Sequence, residues 1–176
     1  MAIESKEFLE RFPVLGEELR GADIAPLLSA MTLRPLATGE VLIHEGKASD
    51  RAYFLRDGEL VISLGIGGAQ AELGRAVAGV IVGEVAFLDG KPATASVTSA
   101  APGHAYELTR DVFTRLQAAH PRLAAAVLRD LCRTLAARLR RASDHYEELG
   151  MARDGAGRTR PERRGLLDAM RRMFGL

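Results

Sequence analysis

A chain of 176 residues, 47% of them apolar, is long enough for one compact domain with a buried core and a terminal extension. The single cysteine, Cys132, excludes an internal disulfide and fits a reducing, cytoplasmic location. The net charge of +1 argues neither for nor against a nucleic-acid partner, and we expect neither a membrane span nor a signal peptide.

Residues 1–32 predict a lead-in of short helices. Asp23 is placed to cap the second of these helices, and Pro13 interrupts the first. The apolar residues that share a helical face are Phe8, Leu9, Phe12 and Leu15 in the first segment, and Ile24, Leu27, Leu28 and Met31 in the second.

Residues 33–108 predict an antiparallel β structure. Short apolar segments at 41–43, 53–55 and 60–62 alternate with turn signals at 38–40, 45–47, 57–59 and 65–68. Strands this short, with turns at close intervals, are typical of a β-roll or jelly roll. With helices before and after it, the fold class is α+β, a β-roll with N-terminal helices and a long C-terminal helix.

Residues 82–99 form a distinct stretch within this β region, here called the cassette. Its Gly83-Glu84 turn precedes an apolar run that is long enough for about one helical turn, so free backbone N–H groups and a positive helix end meet at one point. The carboxylate of Glu84 is unsuited to holding a phosphate but well suited to accepting hydrogen bonds from sugar hydroxyls.

Residues 109–150 predict two helices. The first covers 111–118 and ends at His120-Pro121, and the second covers about 122–149 and is closed by Gly150. Leu123, Val127 and Leu131 are expected to pack on the roll. A second stripe, here called the seam, recurs at steps of four and three and consists of Leu128, Cys132, Leu135, Leu139, Ala142, Tyr146 and Leu149.

The seam permits two interpretations. It is either part of one wide apolar face buried within a monomer or a parallel contact between two copies. The charged residues beside it favour the dimer, because they are placed as solvent-facing charges would be: Arg138, Arg140, Arg141, Asp144, Glu147 and Glu148.

Residues 151–176 carry seven arginines and three acidic residues, a net +4 that leaves −3 for residues 1–150. Residues 151–162 are typical of a linker, and 163–176 predict an amphipathic helix that is too short to be stable alone. We expect that helix to dock on its own roll, on a protein partner or on an anionic membrane surface.

The cassette resembles the phosphate-binding cassette of the cyclic nucleotide-binding domain family, as in bacterial catabolite-activator regulators and kinase regulatory subunits. The family pattern reads Phe-Gly-Glu-Leu-Ala-Leu, a short spacer, then Pro-Arg-Ala-Ala-Thr or Ser. The matching positions are Gly83, Glu84, Ala86, Pro92, Ala95 and Ser96. The β-roll turns of the family also match in order, at Gly39-Glu40, Glu45-Gly46 and Gly58-Glu59, so the resemblance covers roughly residues 10–150.

The resemblance implies a ligand site for a cyclic nucleotide, cAMP or cGMP, with no metal and no catalytic residue. It implies that N–H groups near Val85 and Ala86 bind the cyclic phosphate, that Glu84 holds the ribose hydroxyl, and that Ser96 contacts phosphate or base. The expected site residues are Gly83, Glu84, Val85, Ala86, Pro92, Ala93, Thr94, Ala95 and Ser96.

The sequence departs from the family where the family has its phosphate arginine, because Ala93 stands there. Loss of a bidentate, charge-assisted contact predicts at least a tenfold loss of affinity. Lys91, the cation of the cassette, lies on the turn before Pro92 and is expected to point to water. Thr94 replaces a small residue, and its hydroxyl fits a small anion or water as well as a nucleotide.

The patterns of other functions are missing from the sequence. The four histidines are scattered, and neither a Gly-x-Ser-x-Gly elbow nor a Gly-Lys-Ser phosphate loop occurs. The 26 residues after Gly150 are too few for a winged helix-turn-helix, so we expect no sequence-specific DNA binding. The sequence therefore predicts a non-enzymatic sensor with weak or altered ligand binding, or alternatively a degenerate dimeric scaffold that binds no nucleotide.

Overall fold

The computed structural model describes residues 5–19 and 24–154, together with their side chains except those of residue 18 and residues 141–154. Its helices are α1 Ser5–Arg11, α2 Pro13–Leu19, α3 Ala25–Ala30, α4 Glu84–Asp89, α5 Arg110–Ala119 and α6 Pro121–Asp154. Its strands are β1 Thr32–Leu36, β2 Val41–Ile43, β3 Arg51–Ile66, β4 Ala69–Val77, β5 Ile81–Val82 and β6 Ser96–Thr109.

The strands form one antiparallel sheet in the order β1-β6-β3-β4, with β2 paired to β6 and β5 paired to β3. The long strands β3 and β6 run beside each other through most of the sheet. This is the predicted α+β architecture, a β-roll with helices before it and a long helix after it.

Two apolar cores lie on the two sides of this arrangement. One joins the N-terminal helices, α5 and the first half of α6, and is built around Phe8, Phe54 and Leu131. The other fills the inside of the roll beside the cassette, around Tyr53, Leu60 and Leu73. The cassette therefore lies over the interior of the roll, within reach of the helical layer.

The predicted turn at 57–59 is wrong as a chain reversal, because β3 continues through it as a single strand. The strand pairing is irregular there, with register shifts between Leu55 and Leu60. Gly58 has φ +91°, and a Cβ on it would lie 2.9 Å from the Cα of Gly103. The Asp-Gly pair thus makes a bulge where two strands approach closely, and not a hairpin.

The N-terminal helices bury the apolar set that the sequence predicted, with Phe8, Phe12 and Leu15 at 3% exposure or less. The predicted cap of the following helix is wrong, since Ile24 is the N-cap of α3 and makes no side-chain cap hydrogen bond. Asp23 itself lies outside the described residues.

Helix α6 is longer than predicted and extends past Gly150 to Asp154. A glycine inside a helix costs only about 1 kcal/mol relative to alanine, which the surrounding helix-forming residues offset. Leu123, Val127 and Leu131 are buried as expected, although they pack in the helical core where α6 contacts α2 and α5. The predicted tail helix at 163–176 and most of the linker lie outside the described residues.

Candidate ligand site

Helix α4 begins at a backbone turn that only glycine tolerates well. Gly83 has φ +82° and forms the N-cap of α4. A Cβ on Gly83 would lie 2.6 Å from the backbone oxygen of Arg51 and 2.8 Å from Cδ1 of Ile43. The left-handed conformation and the close approach to β2 and β3 therefore require glycine here, independently of any ligand.

The other end of α4 is held by Arg110, at the start of α5. Its Nε donates to the carbonyl of Phe87 at 3.0 Å, and its Nη2 donates to the carbonyl of Ala86 at 2.7 Å. These bonds satisfy carbonyls at the C-terminal end of a short helix, where a cation is favoured. No local sequence pattern indicates this contact, which fixes α4 to the helical layer.

The second half of the cassette is held by the turn between β2 and β3. The N–H of Ala93 donates to the carbonyl of Lys47 at 2.9 Å, and the carbonyl of Ala93 accepts from the N–H of Gly46 at 2.8 Å. The Oγ of Ser96 accepts from the N–H of Glu45 at 3.0 Å. Backbone pairing thus sets the position of residue 93 whatever its side chain is.

One cavity collects most of the predicted site residues. It is lined by Gly83, Glu84, Val85, Ala86, Ala93, Thr94 and Ala95, and also by Ile43, Ile62, Val82, Val97 and Arg138. Pro92 and Ser96 do not line it: Pro92 bridges to Ala48, and Ser96 bonds to the 45–48 turn. Lys91 is exposed on the turn, as predicted, and does not line the cavity.

Glu84 is buried and forms an ion pair with Arg138 of α6. The exposure of Glu84 is 1% and that of Arg138 is 7%. Nη1 of Arg138 donates to Oε1 of Glu84, and Nη2 donates to the carbonyl of Ile81 at 3.2 Å. The pair joins residues 54 positions apart and ties the cassette to the C-terminal helix.

The position of Arg138 corrects the expectation that this residue faces solvent beside the seam. At 3.6 residues per turn, residue 138 lies within about 20° of residues 127 and 131 around the helix axis. Arg138 therefore continues the buried stripe of Val127 and Leu131 toward the roll. The helical period contained this signal, but a charged residue is rarely buried unless it is paired, and the pairing with Glu84 is a tertiary contact.

The ion pair determines the electrostatics of the cavity. Burial raises the pKa of the Glu84 carboxyl, while the charge of Arg138 and the hydrogen bonds to the carboxylate lower it. Among the described residues that line the cavity, Arg138 is the only cation and Glu84 the only anion. The charges of the two side chains thus cancel, and the rest of the described lining is uncharged.

The cavity is small and about half open to solvent. Its volume is about 30 Å³ for the centre of a water-sized sphere, which is room for one or two waters. Sites for ligands of nucleotide size are several hundred cubic ångströms. A ligand of that size therefore has to extend through the open side of the cavity or displace part of its wall, to which Arg138 of α6 contributes.

A metal centre and a membrane-spanning helix are not found in the described part of the chain. Across residues 5–19 and 24–154, no cluster of three or more His, Cys, Asp or Glu side chains is placed to hold a metal ion. No helix among those residues combines the length and apolarity needed to cross a membrane. The cassette cavity is the site that the fold and the sequence pattern share.

Comparison with known proteins identifies the family. The family model of the cyclic nucleotide-binding domain matches residues 33–120. The chain belongs to this family, whose domains are regulatory modules, and it has the β-roll of the bacterial regulators and kinase regulatory subunits.

Three relatives illustrate the match. The chain is 32% identical over 136 residues to glutaminase 1 of Bradyrhizobium diazoefficiens, covering 77% of this chain and 21% of that protein. It is 33% identical over 109 residues to a cAMP-dependent protein kinase regulatory subunit of Emericella nidulans, covering 62% and 26%. A solved cyclic nucleotide-binding domain from Methylobacillus flagellatus superposes with TM-score 0.69 at 26% identity, covering 90% and 87%. The chain spans about a fifth to a quarter of the curated relatives' length.

Proposed function

We propose that this chain is a regulatory sensor module that binds a cyclic nucleotide in the cassette cavity with reduced affinity, and that α6 transmits the occupancy of the cavity. The observation that carries the proposal is the Glu84–Arg138 ion pair, because it connects the ligand-facing carboxylate to the long helix. The family match and the cavity wall support the ligand class.

Ligand entry and helix movement are linked by the size of the cavity. The cavity now takes one or two waters, and Arg138 forms one of its walls. A nucleotide whose sugar hydroxyls bond to Glu84 has to share that carboxylate with Arg138. Binding therefore shifts the part of α6 that carries Arg138, and a partner that contacts α6 detects the change.

Reduced affinity follows from residue 93. Ala93 is 7% exposed and lines the cavity, but it supplies neither charge nor donor where the family has arginine. A hydrogen bond to a charged group contributes roughly 1.5–3 kcal/mol, so its loss costs about tenfold or more in affinity. Backbone hydrogen bonds fix the main chain at residue 93. An arginine introduced there therefore starts from the backbone position that Ala93 now occupies.

Calorimetric titration with cAMP and with cGMP tests the proposal. We expect measurable binding by the wild type and at least tenfold tighter binding by Ala93→Arg. Lys91→Ala, a change of an exposed cation outside the cavity, is the matched control and should leave the affinity unchanged. If neither the wild type nor Ala93→Arg binds either nucleotide, the module is the degenerate scaffold of the alternative interpretation.

We also propose that the seam contacts a second copy of the chain. Leu139 is 66% exposed and Cys132 is exposed, whereas Leu135 is half-buried and Leu128 packs against the helical core, so the described part of the seam is only partly covered within the monomer. A helix of 34 residues is about 50 Å long, enough for a parallel two-helix contact. In a parallel dimer the two Cys132 side chains face each other, so mild oxidation should give a covalent dimer that Cys132→Ser abolishes.

The module itself is proposed to be non-enzymatic and cytoplasmic, with no sequence-specific DNA binding. Its support is the regulatory character of the matched family and the lack of catalytic patterns in the sequence. Glutaminase activity is not carried over, because the match covers only 21% of glutaminase 1. A glutamine hydrolysis assay checks the proposal that the module is non-enzymatic, and we expect it to show no turnover.

A further inference from the structure

We infer that Arg138 is the cation that faces the phosphate of the ligand, and that α6 thereby supplies the charge that the cassette lacks at Ala93. The inference rests on the proposed function, since it concerns the same cavity. It adds to the proposed function a binding residue on α6, outside the cassette. The family pattern places the phosphate arginine within the cassette.

The geometry places Arg138 in the ligand cavity and not beside it. Arg138 lines the same cavity as Ala93, Thr94 and Ala95, although it comes from α6. Of the described residues around the cavity, it alone carries a positive charge. Lys91, the cation of the cassette itself, is exposed and lies outside the lining.

Charge balance requires a cation in this position. Glu84 is 1% exposed, so a phosphodiester that enters beside it would place two negative charges in a largely desolvated site. Two like charges at close range in a medium of low dielectric constant repel strongly. Arg138 reduces the net charge of carboxylate, guanidinium and phosphate from −2 to −1, and a second arginine at position 93 would bring it to zero.

The chemistry of the guanidinium suits this role. Arginine has five N–H donors in a planar fork and serves more than one acceptor at once. The contacts of Nη1 with Glu84 and of Nη2 with the Ile81 carbonyl hold the fork in a defined orientation. An anchored guanidinium loses less conformational entropy when it binds an anion than a solvent-exposed one does.

The consequence is a coupling between the charge of the ligand and the position of α6. A cyclic nucleotide engages both Glu84 and Arg138, whereas a nucleoside offers hydroxyls to Glu84 and no anion to Arg138. The ratio of nucleoside to cyclic-nucleotide dissociation constants isolates the phosphate contribution, because the cost of opening the cavity enters both constants.

The experiment measures dissociation constants of cAMP and adenosine for four proteins. These are the wild type, Arg138→Gln, the matched control Arg140→Gln on an exposed site of the same helix, and the double variant Ala93→Arg with Arg138→Gln. We expect cAMP to be preferred over adenosine by the wild type and by Arg140→Gln. Arg138→Gln should lower that preference about tenfold or more, and the double variant should restore it.

Far-UV circular dichroism checks that each variant is folded. If Arg138→Gln does not fold, Arg138→Lys replaces it, and the preference should still fall because an ammonium does not reproduce the bidentate fork. An unchanged preference in Arg138→Gln or Arg138→Lys, with both ligands affected equally, means that Arg138 only closes the cavity and overturns the inference alone. A wild type that binds neither ligand overturns the proposed function and this inference together.

Discussion

Removal of Arg138 alone is expected to be one of the most destabilising single changes on α6. Arg138→Gln leaves the carboxylate of Glu84 buried, at 1% exposure, without its cation. Breaking a buried ion pair by removing one partner costs about 3–5 kcal/mol. A domain of this kind has a total unfolding free energy of about 5–15 kcal/mol, so the change takes a large share of it.

Replacing the other partner of the ion pair, by Glu84→Gln, is expected to lower the free energy of unfolding by less than Arg138→Gln does. Glu84→Gln keeps an oxygen that accepts from Arg138, and Arg138 keeps the carbonyl of Ile81 as an acceptor. Arg138 is also the more exposed partner, and its long side chain reaches water with a small movement. We expect a loss of about 1–2 kcal/mol for Glu84→Gln, and a double variant whose loss is less than the sum of the two single changes.

The cost of Arg138→Gln should depend on pH. Burial raises the pKa of the Glu84 carboxyl, and Arg138 opposes that rise. Without Arg138 the folded-state pKa moves further above the ordinary value of 4.5. A carboxyl whose pKa is higher in the folded state stabilises the fold at pH values below its ordinary pKa. This stabilisation is lost as the pH rises through the folded-state pKa. The deficit relative to the wild type is therefore smallest at acidic pH and largest at neutral and alkaline pH.

Urea unfolding followed by far-UV circular dichroism at about pH 5 and about pH 8 measures this deficit. Arg140→Gln, on the same helix but exposed, should cost less than about 0.5 kcal/mol at both values. The double variant Glu84→Gln with Arg138→Gln should lose the extra pH dependence. A deficit below about 1 kcal/mol that does not change with pH would refute the reasoning, because the pair would then be solvated and α6 would not be held on the cassette.

Three further predictions test the fold and the surfaces around the site. Gly83→Ala should cost at least about 2 kcal/mol in urea unfolding, and distinctly more than Gly39→Ala, because both glycines have positive φ but only the former has backbone within 3 Å of the added Cβ. Leu135→Glu with Leu139→Glu should give a monomer in sedimentation with an unchanged far-UV spectrum, whereas a wild type that is already monomeric at high micromolar concentration contradicts the dimer. Deletion of 151–176 should lower the melting temperature if the tail docks on its own roll, or abolish binding to anionic vesicles if it docks on membranes, and a deletion that changes neither property contradicts both.

The local elements of the site could be predicted from the sequence because their physical causes are local. Gly83 needs a positive φ, Gly90 ends α4 in the same left-handed region, and the run between them is about one helical turn long. The alternation of short apolar segments with turn residues indicated the antiparallel roll. The prediction that Ala93 replaces the family's arginine likewise comes from the sequence alone.

Two predictions failed because a glycine signal was ambiguous. An Asp-Gly pair is compatible with a hairpin or with a bulge, and the close approach of Gly58 to Gly103 on β6 selects the bulge. Gly150 weakens a helix by about 1 kcal/mol, which is not enough to end α6. At Gly58 a neighbour distant in the sequence decided the outcome, whereas at Gly150 the surrounding helix-forming residues did.

The sequence by itself determined the family and the fold, since both depend on residue types at short spacings, and it carries the prediction that Ala93 stands at the arginine position of the cassette. Only the tertiary structure decided that Arg138 of α6 lies against the cassette and lines its cavity. The helical period places residue 138 on the buried side of α6, but its pairing depends on a carboxylate 54 positions earlier in the chain. The roll and α6 must pack before Glu84 and Arg138 meet, because a buried charge is stable only opposite its partner.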